Sequence, residues 1–279
     1  MKADCHMHMV LDGVDWKSAI ARHKVKPEEG FIRQTLATYR DLGYTYLRDG
    51  GDRWGVGAKA RELAVEYGIT YRTPLAPLCY AGHYGAFIGK PYENLQEYAR
   101  LVAQTREQGG DFIKIMISGL MDFDRFGVLT EDSLPAELIA ELIHIAHEEG
   151  MSVMAHANGM SALYAAEARV DSVEHGAYLT EETLWAMKEN GTVWTPTLST
   201  IGNLRGTGRF SEPDVAKILE AALINVEKYH NMGGLLASGT DAGAWAVPHG
   251  STTEEAYFSM AGVGKDTLAQ GLAVIQTKF

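Results

Sequence analysis

Six times along the chain a glycine closes a helix-like segment and is followed by a short apolar strand: Gly43, Gly68, Gly109, Gly150, Gly191 and Gly233. Glycine just past a helix adopts the left-handed backbone that ends it, so these positions predict where helices stop. The strands that follow lie at 44–47, 69–71, 112–117, 152–155, 193–195 and 235–240, and another at 172–175 falls between two of the glycines. With an opening strand at 3–9, the chain reads as eight strand–helix units.

Such alternation demands parallel strands joined by crossover helices. The reading is an α/β fold, a (β/α)8 TIM barrel occupying 1–279 as a single domain, in keeping with the ~250 residues such barrels take. Helix grammar supports it. Ser211 with Asp214 predicts a helix start, followed by Val215, Ile218, Leu219, Ala222, Leu223 and Val226 on one face. Asn94 with Glu97 predicts another start. No glycine-rich phosphate loop follows any strand, which removes support for a dinucleotide-binding sheet.

Composition narrows the partners. A formal net charge of -11 with no basic run argues against nucleic acid. No apolar run reaches the ~18 residues of a membrane span. Cys5 and Cys79 are too few for a disulfide framework, and no signal-like segment precedes His6, so the cytoplasm is the expected compartment. The expected partner is a small-molecule substrate; formation of a homo-oligomer is left open.

Chemistry collects at the carboxyl ends of barrel strands, and this is where the polar residues fall. Strict alternation in the first strand puts His6 and His8 on one face with Asp4, and turns Cys5, Met7 and Met9 away. Two imidazoles on one face can share a metal ion. In the strand at 112–117, Ile113, Ile115 and Ile117 suit the helix side, so Lys114 points into the barrel. A buried ammonium is costly unless paired, and burial favours a neutral amine able to add carbon dioxide and become a carbamate. The alternative for Lys114 is an ion pair with Asp241. Later strands end on His156, His175 and Asp241, each metal-competent and each just before small residues or a turn.

The ordered set His6-x-His8, Lys114, His156, His175 and Asp241 resembles the amidohydrolase superfamily, in its subtype with a binuclear metal centre bridged by a carboxylated lysine. The flanking stretches 110–116, 173–176 and 238–243, with 45–51 on the second strand, are most similar to the imidazolonepropionase-like branch, which includes prolidase-like Xaa-amino-acid dipeptidases. The resemblance implies that His6 and His8 bind one divalent ion, joined by Asp241, and that His156 and His175 bind the other, with the Lys114 carbamate bridging them. Nitrogen and oxygen donors without cysteine suit zinc, while manganese, iron and cobalt stay open. The mechanism expected of such a centre is attack on a carbonyl by a metal-bridging hydroxide, with Asp241 as general base and then general acid.

Substrate selection is expected from the loops. His83, after the third strand, and His249, after the eighth, are placed at the pocket mouth; Tyr178, Asn158, Asn203, Arg205 and Trp245 are further candidates on the rim. Arg205 suits a carboxylate, and the connection at 199–210 is read as a lid or a plain loop. Arg48 and Asp49 are read as a structural pair. Many members carry a small β-sandwich beside the barrel; here the tail at 265–279 reads as one helix, and the barrel is expected to stand alone. Gly159 stands where single-metal deaminases carry a glutamate three residues after the fifth-strand histidine, which argues for hydrolysis over ring deamination. The expected function is cleavage of an amide C–N bond in a dipeptide, N-acyl amino acid or cyclic amide. The alternatives are ester, lactone or phosphotriester hydrolysis at the same centre, and a non-catalytic metal-binding barrel.

Overall fold

A computed structural model describes residues 2–279. Its strands are β1 (Lys2–Met7), β2 (Tyr44–Asp49), β3 (Thr70–Arg72), β4 (Leu78–Tyr80), β5 (Lys90–Tyr92), β6 (Ile113–Met116), β7 (Val153–Ala157), β8 (Ser172–His175), β9 (Val193–Thr195) and β10 (Leu235–Leu236). Its helices are α1 (Trp16–His23), α2 (Glu29–Asp41), α3 (Val56–Ala64), α4 (Leu95–Glu107), α5 (Ala136–Glu148), α6 (Met160–Glu167), α7 (Glu181–Glu189), α8 (Ser199–Gly202), α9 (Glu212–Asn231), α10 (Thr253–Met260) and α11 (Lys265–Lys278). The six glycines predicted to end helices all have φ between 66° and 81°.

All paired strands run parallel, in the orders β1-β2-β3 and β10-β9-β8-β7-β6-β4-β5. β3 and β4 are two halves of one barrel strand: β3 pairs with β2 and β4 with β6. Pro74 and Pro77 fall between them and lack the N–H a continuous ladder needs. The halves stay in line because Asp111 N donates to Thr73 O at 2.9 Å. At the other seam Cys5 N donates to Ser238 O (2.8 Å), Asp241 N to His6 O (2.7 Å) and His8 N to Ala242 O (2.7 Å). These bonds bring the two sheets together as a (β/α)8 barrel, with β5 an added strand outside β4.

Three apolar layers hold it. Ile113, Ile115 and Ile117 pack outward with Ile139, Leu142 and Ile143 of α5, and Leu47 packs with Leu36 of α2 and Leu63 of α3. Inside the amino end of the barrel, Tyr46, Phe112, Met154 and Cys5 meet Leu272, Ile275 and Phe279 from the α11 end, closing the floor. Among the described residues no helix is long and apolar enough to cross a membrane.

The first strand departs from strict alternation. Asp4 pairs with Leu47 and Met7 with Asp49, so two residues, Cys5 and His6, stand opposite Arg48 alone. A β-bulge of this kind turns both extra residues to one side. Asp4 therefore faces away from the histidines, accepting bonds from Thr240 N (2.9 Å) and Thr240 Oγ1 (2.6 Å) and from Tyr39 Oη of α2 (3.3 Å). Cys5, expected to point away, joins the floor cluster below the site instead. Gly239 makes room for the bulge: a Cβ there would lie 2.7 Å from His6 N and 2.8 Å from His6 Cβ.

Candidate metal centre

The carboxyl ends of β1, β6, β7, β8 and the segment after β10 bring six side chains together. His6 Nε2 lies 3.4 Å from His8 Nε2. Asp241 Oδ1 is 3.5 Å from His6 Nε2 and 3.2 Å from His8 Nε2, and its Oδ2 is 4.0 Å from His175 Nδ1. The His175 ring packs between His6 (centroids 5.0 Å apart) and His156 (4.5 Å). Ligand-type atoms of His6, His175 and Asp241 all lie within 4.8 Å of one another. Strand ends are bent to achieve this: His175 has φ 67° and Asp241 φ 55°. A non-glycine residue held there costs about 1–3 kcal/mol, tolerated where surrounding packing dictates it.

The electrostatics favour neutral nitrogen donors. Burial, reinforced by the Lys114 ammonium, lowers His6 to about 4 and His156 to about 3. His175 also falls well below its ordinary value, through burial and its neighbouring imidazoles. Burial lowers Lys114 to about 8, against the pull of Glu174 and Asp241. Burial would raise Asp241, but His6, His8 and Lys114 outweigh it and hold the carboxyl below its ordinary range.

A divalent metal fits this donor set. Lys114 Nζ and His8 Nδ1 are buried without a hydrogen-bond partner, and Asp241 Oδ1 faces the nitrogens of His6 and His8. The ion pair weighed for Lys114 with Asp241 is not formed. Buried polar atoms are rarely left so, and an unpaired lysine beside a carboxylate that faces clustered imidazoles matches a cation and its ligands better than a packed core.

A second layer braces these groups. His6 Nδ1 lies 2.7 Å from Glu174 Oε2, and Glu174 Oε1 accepts from Arg48 Nη2 at 2.9 Å. His175 Nδ1 lies 2.7 Å from Thr197 Oγ1, while His156 Nε2 is 3.3 Å from Gly119 O and its ring packs on Tyr84 at 4.9 Å. Sequence reasoning overlooked Glu174, Thr197 and Tyr84, and paired Arg48 with the wrong acid. Asp49 instead accepts from Met9 N (3.3 Å) and Thr73 Oγ1 (3.1 Å). The signal for Glu174 was available: an acid alternating with Val173 inside a buried strand requires an inward cation, and Arg48 and Lys114 supply it.

The rim candidates separate. His83 is half exposed beside the β4 exit, its Nδ1 3.5 Å from Glu131 Oε2. Tyr178 packs edge-on against Phe126 (5.6 Å), and its hydroxyl has no partner. Arg205 is exposed. His249 lies against α2, with Nε2 donating to Leu11 O at 2.9 Å and its ring on Phe31 and Tyr39. Asn158 donates to Gly119 O (3.0 Å) and accepts from Ala177 N (2.8 Å), so it ties loops together beside His156. Asn203 donates to Ala246 O (3.0 Å), and Trp245 carries the Arg209 guanidinium 4.1 Å above its ring. The stretch at 199–210 begins as α8, pinned by Glu254 accepting from Leu198 N (2.9 Å) and Ser199 N (2.7 Å).

No family model matches the chain. Uncharacterized proteins of Mycobacterium bovis and Mycobacterium tuberculosis are 27% identical to it over 275 residues, a match covering 91% of this chain. The chain spans 65% of the length of these curated relatives. Among solved structures, a Xaa-Pro dipeptidase with bound methionine in the active site superposes with a TM-score of 0.76 at 23% identity, over 99% of this chain and 75% of its own. The ochratoxinase of A. niger gives 0.78 at 20% identity, over 99% and 70%. A structure described as an amidohydrolase gives 0.71 at 20% identity, over 98% and 74%. At these identities the likeness establishes the barrel fold.

Proposed function

We propose that this barrel is a metal-dependent amidohydrolase cleaving an amide C–N bond of a small molecule such as a dipeptide, an N-acyl amino acid or a cyclic amide. The observation that carries the reading is the convergence of His6, His175 and Asp241 donor atoms within 4.8 Å, beside a buried lysine with no partner. The names of the similar structures, a Xaa-Pro dipeptidase and an amidohydrolase among them, point the same way.

In this reading His6, His8 and Asp241 would hold one divalent ion and His156 and His175 the other, zinc being the first choice for nitrogen and oxygen donors. Lys114, whose burial favours the neutral amine, would take up carbon dioxide, its Nζ forming the N–C bond and releasing a proton, and the resulting anionic carbamate would supply a further oxygen donor. When bound, such a pair supplies a Lewis acid for the substrate carbonyl and water acidic enough to ionise near pH ~7. Asp241 Oδ1, which faces His6 and His8, accepts the proton that the attacking water loses. It then delivers that proton to the departing nitrogen, without which the C–N bond does not break cleanly. His83 and Tyr84, on the loop after β4, are the residues we assign to orienting the acyl portion, with Tyr178 and Arg205 assigned to the rest of the substrate.

The test is to purify the protein without chelator in bicarbonate buffer, measure bound metal, and assay a panel of dipeptides, N-acyl amino acids, cyclic amides, lactones and phosphotriesters. Two metal equivalents and turnover of amides are expected. Turnover confined to the esters moves the reaction to the oxygen leaving groups, and metal loading without turnover of any of them makes the barrel a binding protein.

A further inference from the structure

Beneath the ligand histidines lies a charged network that the proposed chemistry does not consume. Arg48 and Glu174 are both fully buried inside the barrel, with Nη2 and Oε1 2.9 Å apart. Arg48 also donates through Nε to Cys5 O (2.6 Å) and through Nη1 to Ser172 Oγ (3.0 Å). Ser172 Oγ donates to Glu174 Oε1 at 2.6 Å. A buried ion pair is poor evidence of stabilisation, since apolar residues of the same volume commonly hold a core as well or better. What an apolar pair cannot do is present an oxygen to His6. Glu174 divides its two oxygens: Oε1 faces the cation and the Ser172 hydroxyl, and Oε2 faces His6 Nδ1 at 2.7 Å.

An ionised carboxylate only accepts hydrogen bonds, so the proton in the His6–Glu174 contact belongs to Nδ1. A neutral imidazole carries one N–H, which leaves the lone pair on Nε2, the atom lying 3.4 Å from His8 Nε2 and 3.5 Å from Asp241 Oδ1. His175 differs, because its partner is the Thr197 hydroxyl, able to donate or accept and so unable to dictate a tautomer. Among the described residues, only His6 of the four histidines has a carboxylate outside the cluster at hydrogen-bond distance.

We propose that Glu174, locked by Arg48, is a positioning residue that fixes His6 as the Nδ1–H tautomer with its Nε2 lone pair aimed into the centre. The consequence for metal affinity rests on the hydrolase reading above; the tautomer itself does not.

Glu174→Gln is the discriminating change. An amide has one acceptor oxygen where the carboxylate has two, so either His6 Nδ1–H or the Arg48–Ser172 side loses its acceptor. The first measurement is made on metal-free wild-type protein labelled with nitrogen-15: the imidazole shifts of His6, assigned by their loss in His6→Ala, report which nitrogen is protonated. The second compares zinc affinity of wild type and Glu174→Gln by competition with a chromogenic chelator, with dispersed amide spectra confirming that both are folded. Expected are an Nδ1-protonated His6 in the wild type, a mixed or reversed signature in Glu174→Gln, and zinc binding loosened by about 10–100-fold, the usual effect of removing an outer partner of a ligand histidine. An Nε2-protonated His6 in the wild type overturns the proposal, as does a folded Glu174→Gln protein with wild-type zinc affinity. If Glu174→Gln does not fold, the wild-type tautomer decides alone. If the wild type takes up no zinc, the hydrolase reading fails, and the tautomer still decides this one.

Discussion

Gly50, the residue after β2, offers a way to displace His8, one of the proposed ligands, without touching it. A Cβ added there would lie 2.1 Å from His8 Cε1, 2.7 Å from Nδ1 and 2.8 Å from Nε2. Its backbone is not left-handed, so alanine suits the local conformation. The imidazole must therefore move from 2.1 Å to the 3.4 Å of ordinary contact, about 1.3 Å. Metal–ligand distances tolerate ~0.2 Å, so His8 cannot retreat that far and still bind. The fold has less reason to suffer. Overpacking costs ~1–3 kcal/mol and replacing glycine returns ~0.4–1 kcal/mol through the unfolded chain, a net loss of about 0–2.6 kcal/mol. Gly50→Ala is therefore expected to stay folded while zinc affinity falls more than ~100-fold, beyond what losing an outer partner costs. Urea unfolding of the metal-free protein reads the first quantity and chelator competition the second. A folded Gly50→Ala protein with wild-type affinity would refute the assignment of His8.

Three further outcomes follow from the geometry. Asp241→Asn keeps a side chain that tolerates φ 55°, so the fold should hold within ~1 kcal/mol while amide turnover drops by ~10²–10⁴-fold; near-normal turnover removes Asp241 as the proton carrier. Lys114→Met removes a buried ammonium with no partner, and the metal-free protein should gain ~1–4 kcal/mol in urea unfolding while losing metal binding, so a destabilised variant would show that Lys114 is paired after all. Burial pushes Glu254 up to about 8, above the ~4.3 of an unfolded glutamate, so between those values the folded chain holds the extra proton. The Glu254 contribution is thus complete below pH ~4 and is lost as pH rises through about 8, at up to ~1.4 kcal/mol per pH unit. Urea midpoints at pH 5, 7 and 9 should fall more steeply for wild type than for Glu254→Gln, and parallel slopes would contradict the burial argument.

Much of the barrel was legible because its punctuation is local. A glycine such as Gly150 ends α5 by its own backbone freedom, and Asn94 caps α4 through a bond to Glu97 N, 2.9 Å long, that depends on nothing distant. The convergence of the site's side chains was legible for a related reason, since His156, His175 and Asp241 each stand at the end of a strand the pattern locates. What escaped reading depended on partners far along the chain. The bulge at Cys5 and His6 is set by how β1 sits against Arg48 on one side and Gly239 on the other, and strict alternation cannot anticipate it. It misplaced Asp4 and Cys5 while leaving His6 turned inward. Arg48 was paired with its sequence neighbour because the distance to Glu174, 126 positions away, is invisible before the strands are arranged. β4 and β5 went unnoticed for want of length, being three residues each, and α1 because its short apolar face carries only Ala19, Ile20 and His23 into the core.

The seam between β1 and the segment after β10 also sets a schedule. Asp4 is bonded to Thr240, 236 positions later, and Asp241 N reaches back to His6 O. On a ribosome His6 and His8 emerge long before Asp241, the carboxylate that lies beside them in the folded chain. Until then β1 is a strand with one open edge, the kind of segment that pairs wrongly or recruits other chains. Contacts of such long separation also form slowly, because loop closure must precede any gain from them. On the proposed reading, a centre built from four histidines would reach its final form only when the barrel is whole, and early capture of the His6–His8 pair by a free cation would compete with folding.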